Sequence, residues 1–189
     1  MGRQFAKIAF TPLVKKQQEL HGSRRQYQRI EEIGEPGSRL SGDEREFIEA
    51  RDGFYMASVS ETGWPYIQFR GGPKGFLRVL DDQTLGFADL RGNKQYISVG
   101  NLQHDDRVAL FLMDYVGQQR LKILGRTRIL EGNEEAQELL AKLRTSERNA
   151  LPERAFLIHI EAFDWNCPQH ITPRFTEEEV RDLLAVRNA

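Results

Sequence analysis

The sequence predicts a mainly β protein with flanking helices, built as an antiparallel barrel that is closed or half-closed. Three observations carry this expectation. From Gly53 onward, apolar and polar residues alternate with period two through seven or so segments. Short turn signals such as Thr62-Gly63 and Asp82-Gln83 separate them. Helical patterns with capping residues gather in residues 11–51 and in a few later stretches.

Taken in order, Thr11 with Pro12 makes a cap and first turn, and Ser23 opens "SRRQYQRIEE". Ser41 with Glu44 has capping-box spacing before "REFIEARD". The Gly-, Pro- and Ser-rich "IGEPGSRLSG" between these last two helices reads as a linker. "FYMASVSE" and "WPYIQFRG" form one hairpin; "FLRVLDD" and "TLGFAD" form another. "RVALFLMDY", "RLKILGRTRIL" and "RAFLIHIEAF" supply further strands, rich in β-branched and aromatic residues. "NEEAQELLAKLRTSER", with Leu139, Leu140 and Leu143 on one side, and "TEEEVRDLLAVRN", with three acids in its first turn, read as packing helices.

At 189 residues the chain is about one domain with a small helical annex. Hydrophobic residues make up 39% and charged residues 29%, as in soluble globular proteins, and the net charge of -1 gives no overall attraction for nucleic acid or anionic lipid. Any anion must therefore be held locally. One cysteine, Cys167, rules out an internal disulfide and fits a reducing cytoplasm. The four histidines show no paired ligand spacing, so no metal site is expected. The short apolar stretch at the N-terminus, broken by Lys7 and Thr11, is neither a secretory h-region nor a membrane span, so a soluble, cytoplasmic protein is expected.

Four constellations could carry chemistry. "FADLRGNKQYISVGN", residues 87–101, runs from a strand into Arg91, Gly92, Asn93, Lys94, Gln95 and the hydroxyl of Ser98. Cations, hydroxyls and open backbone N–H groups at a helix start are what hold a phosphate. Asn93 would cap the helix "KQYISVGN", with Lys94 at its N-terminal end, although this window alone is better explained as an ordinary capped helix. In "RGGPKGFLRV", Arg70, Lys74 and Arg78 sit four apart among three glycines. If Phe76 to Leu80 is a strand, Phe76 and Arg78 share a face that suits a flat ring with a phosphate tail; a glycine bend with solvated charges fits about as well. "QRLKILGRTR" presents Arg120, Lys122, Arg126 and Arg128 on one face, either solvated or meeting acids of another chain. Trp165, His170 and Arg174, in "FDWNCPQHITPRF", read as an ordered loop lying against something, and Cys167 there as an inert thiol.

The order of these segments over roughly residues 41–175, and above all "FADLRGNKQYISVGNL" together with "WNCPQHI", resembles the pyridoxamine 5'-phosphate oxidase-like family of split-barrel flavin proteins, in its flavin-nucleotide-binding branch. The resemblance implies an antiparallel split barrel of six strands and a homodimer with FMN in a groove at the interface. It implies a division into a helical extension (1–40), an FMN-binding barrel (41–165) and a C-terminal loop and helix closing the site (166–189). Carried over residue by residue, it sets Lys74, Gly75, Phe76 and Arg78 along the flavin, Ala88 and Asp89 beside it, and Asn93, Lys94 and Gln95 at the phosphate. Arg120 would reach the ring from its strand, and Trp165 with Arg174 would close the site from the same or the other subunit. The implied activity is FMN-dependent oxidation or reduction of a small molecule, with a donor such as NAD(P)H and no acid or base assigned. The alternatives are a non-catalytic flavin carrier and a deazaflavin or haem binder. Two departures stand out. Asn93-Lys94-Gln95 replaces the Ser-Arg-Lys run of the true oxidases, and their Arg-x-His pair near the C-terminus is missing, which argues against the vitamin as substrate.

Overall fold

In a computed structural model that describes residues 1–145, 151–166 and 169–187, seven strands form one antiparallel sheet. The strands are β1 (Gly53–Val59), β2 (Pro65–Gly71), β3 (Arg78–Val79), β4 (Thr84–Leu90), β5 (Arg107–Asp114), β6 (Gln119–Leu130) and β7 (Pro152–Trp165). Their spatial order is β2-β1-β5-β6-β7-β4-β3. The long central strands β6 and β7 meet at a bulge, where Gly125 opposes Ile160 directly after Leu124 opposes Ala162.

Among the described residues no backbone ladder joins the two ends of the sheet, yet the edge strand β2 is brought to β4, the neighbour of the opposite edge strand β3. Arg70 on the edge strand β2 donates to Asp89 on β4, and the Ser98 hydroxyl donates to the Gln68 side chain of β2 at 3.0 Å. The sheet therefore curls into a barrel whose seam is closed by side chains, the split barrel expected, with seven strands where the resemblance implied six. Inside it the aromatic rings of Phe54, Phe76, Phe87 and Phe156 pack against one another, with Leu110, Leu112, Leu121, Ile123 and Ile158 filling the remainder. Period two on β1 and β5 sends one set of side chains to this core and leaves the other outside, whereas β4 and β7 bury consecutive residues.

The helices are α1 (Arg3–Ala9), α2 (Pro12–Leu20), α3 (Arg24–Ile33), α4 (Gly42–Glu49), α5 (Ile97–His104), α6 (Glu134–Lys142) and α7 (Glu177–Arg187). Thr11 caps α2, and Ser41 with Glu44 forms the expected capping box of α4. Ser23 precedes α3, but its hydroxyl turns back to the Gln18 carbonyl instead of capping. α1 is a helix that the pattern did not announce; its short stretch buries Phe5 and Ala6 against β7. Leu143, at the end of α6, is buried with Leu130, Ala136 and Ala155 in a second apolar cluster under the sheet.

Two local expectations are corrected. Residues 76 and 77 lie outside any strand, because β3 is only two residues long. Phe76 is consequently buried in the core, stacked on Phe54, while the exposed Arg78 reaches the Arg144 carbonyl, so the two do not share a face. The helix after the Asn93-Lys94-Gln95 loop begins at Ile97, not at Lys94. The cationic face of β6 is largely paired within the chain: Lys122 with Asp164, Arg126 with Asp106 and Glu161, Arg128 with Glu135. Cys167 lies outside the described residues.

Candidate functional site

The seam of the barrel is the most functionally suggestive place in the molecule. Here β2 presents Tyr66, Gln68 and Arg70, β4 presents Asp89, and the loop carrying Asn93, Lys94 and Gln95 closes a cleft of about 210 Å³. The residue alternation of β2 puts Gln68 and Arg70 on the cleft side and Phe69 on the other. The loop is held in an unusual backbone shape. Lys94 and Tyr96 both have positive φ, 61° and 54°, without being glycine. Asn93 accepts from the Gln95 N–H at 3.2 Å, making a local turn instead of the helix cap expected of it. Tyr96 precedes α5 without a side-chain cap, and Ile97, Ser98 and Val99, whose N–H groups have no partner within the helix, line the cleft.

The floor is ionic. Asp89 is 7% exposed; one of its oxygens accepts from Arg70 and the other from Arg154 Nη1 at 3.0 Å. Arg154, 4% exposed, also bonds Glu131 and Glu153 and lies 4.9 Å from the centre of the Tyr96 ring. Burial opposes the charge of Arg154, but the Glu131 bonds and the Asp89 field outweigh it and push its pKa above the usual guanidinium value. Arg70 lies over Phe87 and Phe156, and its Nε is buried without a hydrogen-bond partner. Three cations and two carboxylates line this cleft, together with neutral donors from Gln68, Gln95 and Ser98. Such a surplus suits an oxyanion.

A second cleft, about 600 Å³, lies on the outer face of β1 and β5, on the far side of β2. Tyr55, Phe69, Phe111 and Met113 make an apolar floor, while Lys74 and Arg174 stand at its edge. Arg174 lies 5.1 Å from the centre of the Tyr115 ring. Burial, followed by hydrogen bonding with Tyr55, raises the Tyr115 pKa above the ordinary phenol. Next to this cleft the hairpin exposes Trp64 (76%), Ile67 (63%) and Phe69 (57%).

The twelve residues singled out from the sequence therefore divide. Asp89, Asn93, Lys94 and Gln95 meet in the seam, and Lys74 and Arg174 meet in the outer cleft. Gly75 has a positive φ of 80° in the turn between them, where a side chain would be strained. Ala88 faces away from the seam into the second apolar cluster. Phe76 has no surface for a ring to lie on, and Arg78 is turned away from both clefts. Arg120, with its Nε buried and unpartnered, stands on β6 opposite Met113. Trp165 is set elsewhere, with its Nε1 donating to Glu44 at 2.7 Å and its ring edge-on to Phe47. Gln68 and Arg154 are not among the residues that the sequence singles out, and Arg70 stands out there only by its spacing. The alternation of Gln68 and Arg70 on an edge strand was the available signal; nothing local marks Arg154.

A family model described as pyridoxamine 5'-phosphate oxidase matches residues 40–166. Among curated proteins none matches the sequence. Among solved structures the chain is similar to a Lactobacillus delbrueckii protein named as a candidate pyridoxamine 5'-phosphate oxidase, at 22% identity and a TM-score of 0.52, over 67% of this chain and 94% of that one. It is also similar to HupZ of group A Streptococcus, at 16% identity and a TM-score of 0.53, over 72% and 99%. An FMN-binding protein of Syntrophomonas wolfei matches at 12% identity and a TM-score of 0.51, over 79% and 97%. At such identities these structures bear on the fold, and the family match covers well over half the chain. The chain belongs to the pyridoxamine 5'-phosphate oxidase family.

Proposed function

We propose that this protein binds FMN through its phosphate in the seam cleft and works as an FMN-dependent oxidoreductase on a small molecule. One observation carries the reading: Arg70, Lys94, Arg154 and the start of α5 converge on one cleft whose cations outnumber its carboxylates. The fit is to a tail and not to a whole flavin. About 210 Å³ holds a phosphate and the end of its chain, whereas drug-sized ligands need about 300–1,000 Å³. The ring must lie outside the seam, across the edge of β2.

The outer cleft offers what a ring requires, an aromatic floor edged by Lys74 and Arg174, but it is on the opposite face of β2. The exposed Trp64, Ile67 and Phe69 are an apolar patch on which a second copy of the chain can seat, and we assign the flavin ring to a surface that both copies line. The proposed active form is therefore a homodimer in which each site draws on both chains. Bound FMN supplies reversible hydride and electron transfer. The chain's own groups anchor the phosphate, orient the ring and shield it from water. No side chain is assigned as acid or base, and the donor, such as NAD(P)H, would approach the uncovered side of the ring. The occurrence of an FMN-binding protein on the same fold supports this reading by analogy.

The absorption spectrum of purified protein tests the cofactor directly. A flavin spectrum, release of FMN on heating and NAD(P)H turnover are expected. Binding of riboflavin as tight as that of FMN would sink the seam assignment. A deazaflavin or haem spectrum would replace the cofactor while leaving the scaffold. Sedimentation should give about twice 21.9 kDa. A monomer that holds FMN tightly would refute the shared site.

A further inference from the structure

We infer that Asp89 is an internal stand-in for the ligand's phosphate, and that an incoming oxyanion takes Arg70 from it. The inference rests on the seam being an oxyanion site, and deepens that reading.

Asp89 is an oxyanion held between two guanidinium groups at the floor of a cleft lined by further donors. A bound phosphate would want the same guanidinium groups. The two arginines differ in what else holds them. Arg154 has Glu131 and Glu153 besides Asp89, so it stays compensated whatever happens in the cleft. Arg70 has Asp89 as its single anionic partner among the described residues, and its Nε is buried without any partner. Of the two arginines, Arg70 is thus the one whose hydrogen-bonding capacity is less used, and Asp89 can release it while keeping Arg154. The rings of Phe87 and Phe156, 5.8 and 5.4 Å from the Arg70 guanidinium carbon, keep an apolar floor under that group whichever oxyanion it faces.

The consequence is an exchangeable ligand. Each binding event replaces the Arg70–Asp89 pair, so part of the attraction for phosphate is spent on displacing the carboxylate. Asp89 thereby weakens retention and speeds release, as suits a flavin that is traded between proteins or turned over as a substrate.

The test is D89N, which keeps shape and removes the charge. FMN and inorganic phosphate are titrated against wild type and variant by fluorescence and thermal shift, with riboflavin as the ligand lacking the tail. The expected result is about tenfold tighter binding of FMN and of phosphate by the variant, with riboflavin unchanged. Unchanged or weaker FMN binding by a folded D89N, in a protein whose wild type prefers FMN to riboflavin, overturns the role of Asp89 alone. No preference of the wild type for FMN overturns the seam site itself. Should D89N fail to fold, a crystal structure of wild type with phosphate decides: Arg70 on the phosphate and parted from Asp89 supports the inference, and an intact Arg70–Asp89 pair beside bound phosphate refutes it.

Discussion

Arg154 is the residue whose loss should most clearly tie the barrel's stability to its seam. Replacing it with methionine keeps much of the volume but removes the guanidinium from three carboxylates. Breaking a buried ion pair by deleting one partner costs about 3–5 kcal/mol, because the remaining charge stays out of water. Two of the three partners soften the loss. Glu131 is 55% exposed and Glu153 partly so, and both can hydrate. Asp89 is the costly one, although Arg70 still holds it. The low end of the range, about 3 kcal/mol, is therefore expected, which for a chain of this size lowers Tm by about 6–12 °C. Arg126 is the control: its pairs with Asp106 and Glu161 are at the surface, so R126M should shift Tm by less than about 2 °C and its small effect should fade with salt. Thermal unfolding of both variants, followed by circular dichroism at low and high ionic strength, makes the comparison. If R154M melts no lower than R126M, the seam network is not a stabilising feature of the fold and the reasoning fails.

Three further outcomes are expected. K94E should lose FMN while its melting temperature in the absence of flavin stays within about 2 °C of wild type, since Lys94 is exposed and forms no ion pair among the described residues; retained yellow colour would count against the seam. In G125A the new methyl carbon would stand 2.5 Å from the His159 carbonyl oxygen, across the two longest strands, so a loss of about 1–3 kcal/mol or outright misfolding is expected, and wild-type urea unfolding would show that the bulge relaxes freely. Burial raises the Glu44 pKa, but bonds from Ser41 and Trp165 outweigh it and hold it below the usual 4.5. A carboxyl depressed in the folded state adds stability that is full above its unfolded pKa and is lost as pH falls through the folded one. E44Q should therefore narrow its gap to wild type as the pH of unfolding is lowered from 6 toward 3; a gap independent of pH would exclude the linkage.

Strands, hairpin turns and the capping box of α4 were legible because each is written in neighbouring residues: period two, Thr62-Gly63, Ser41 with Glu44. The short β3 was not, since "GFLRV" alternates as a strand does, yet the tight turn ending at Phe76 and the core's need for an aromatic ring at Phe54 prevail over local pattern. For the same reason the Phe76 ring lies in the core and leaves only its backbone to meet a ligand. The polar, cation-bearing loop at Asn93-Lys94-Gln95 was recognisable by its residue types, but the start of the helix was displaced by Lys94 and Tyr96 in left-handed conformations, which no propensity favours and only the surrounding structure can impose.

By itself the sequence determined that the chain is an antiparallel barrel with a polar, cation-bearing loop after one strand, because alternation and turn chemistry act between residues a few positions apart. Only the tertiary structure decided that Arg70 and Arg154 converge on Asp89 from strands 19 and 65 positions away. It alone also decided what the two faces of the edge strand β2 meet, the seam on the Arg70 side and the outer cleft on the Phe69 side. The physical reason is that the curl of a seven-stranded sheet sets which distant side chains meet, and that curl comes from the packing of the whole core.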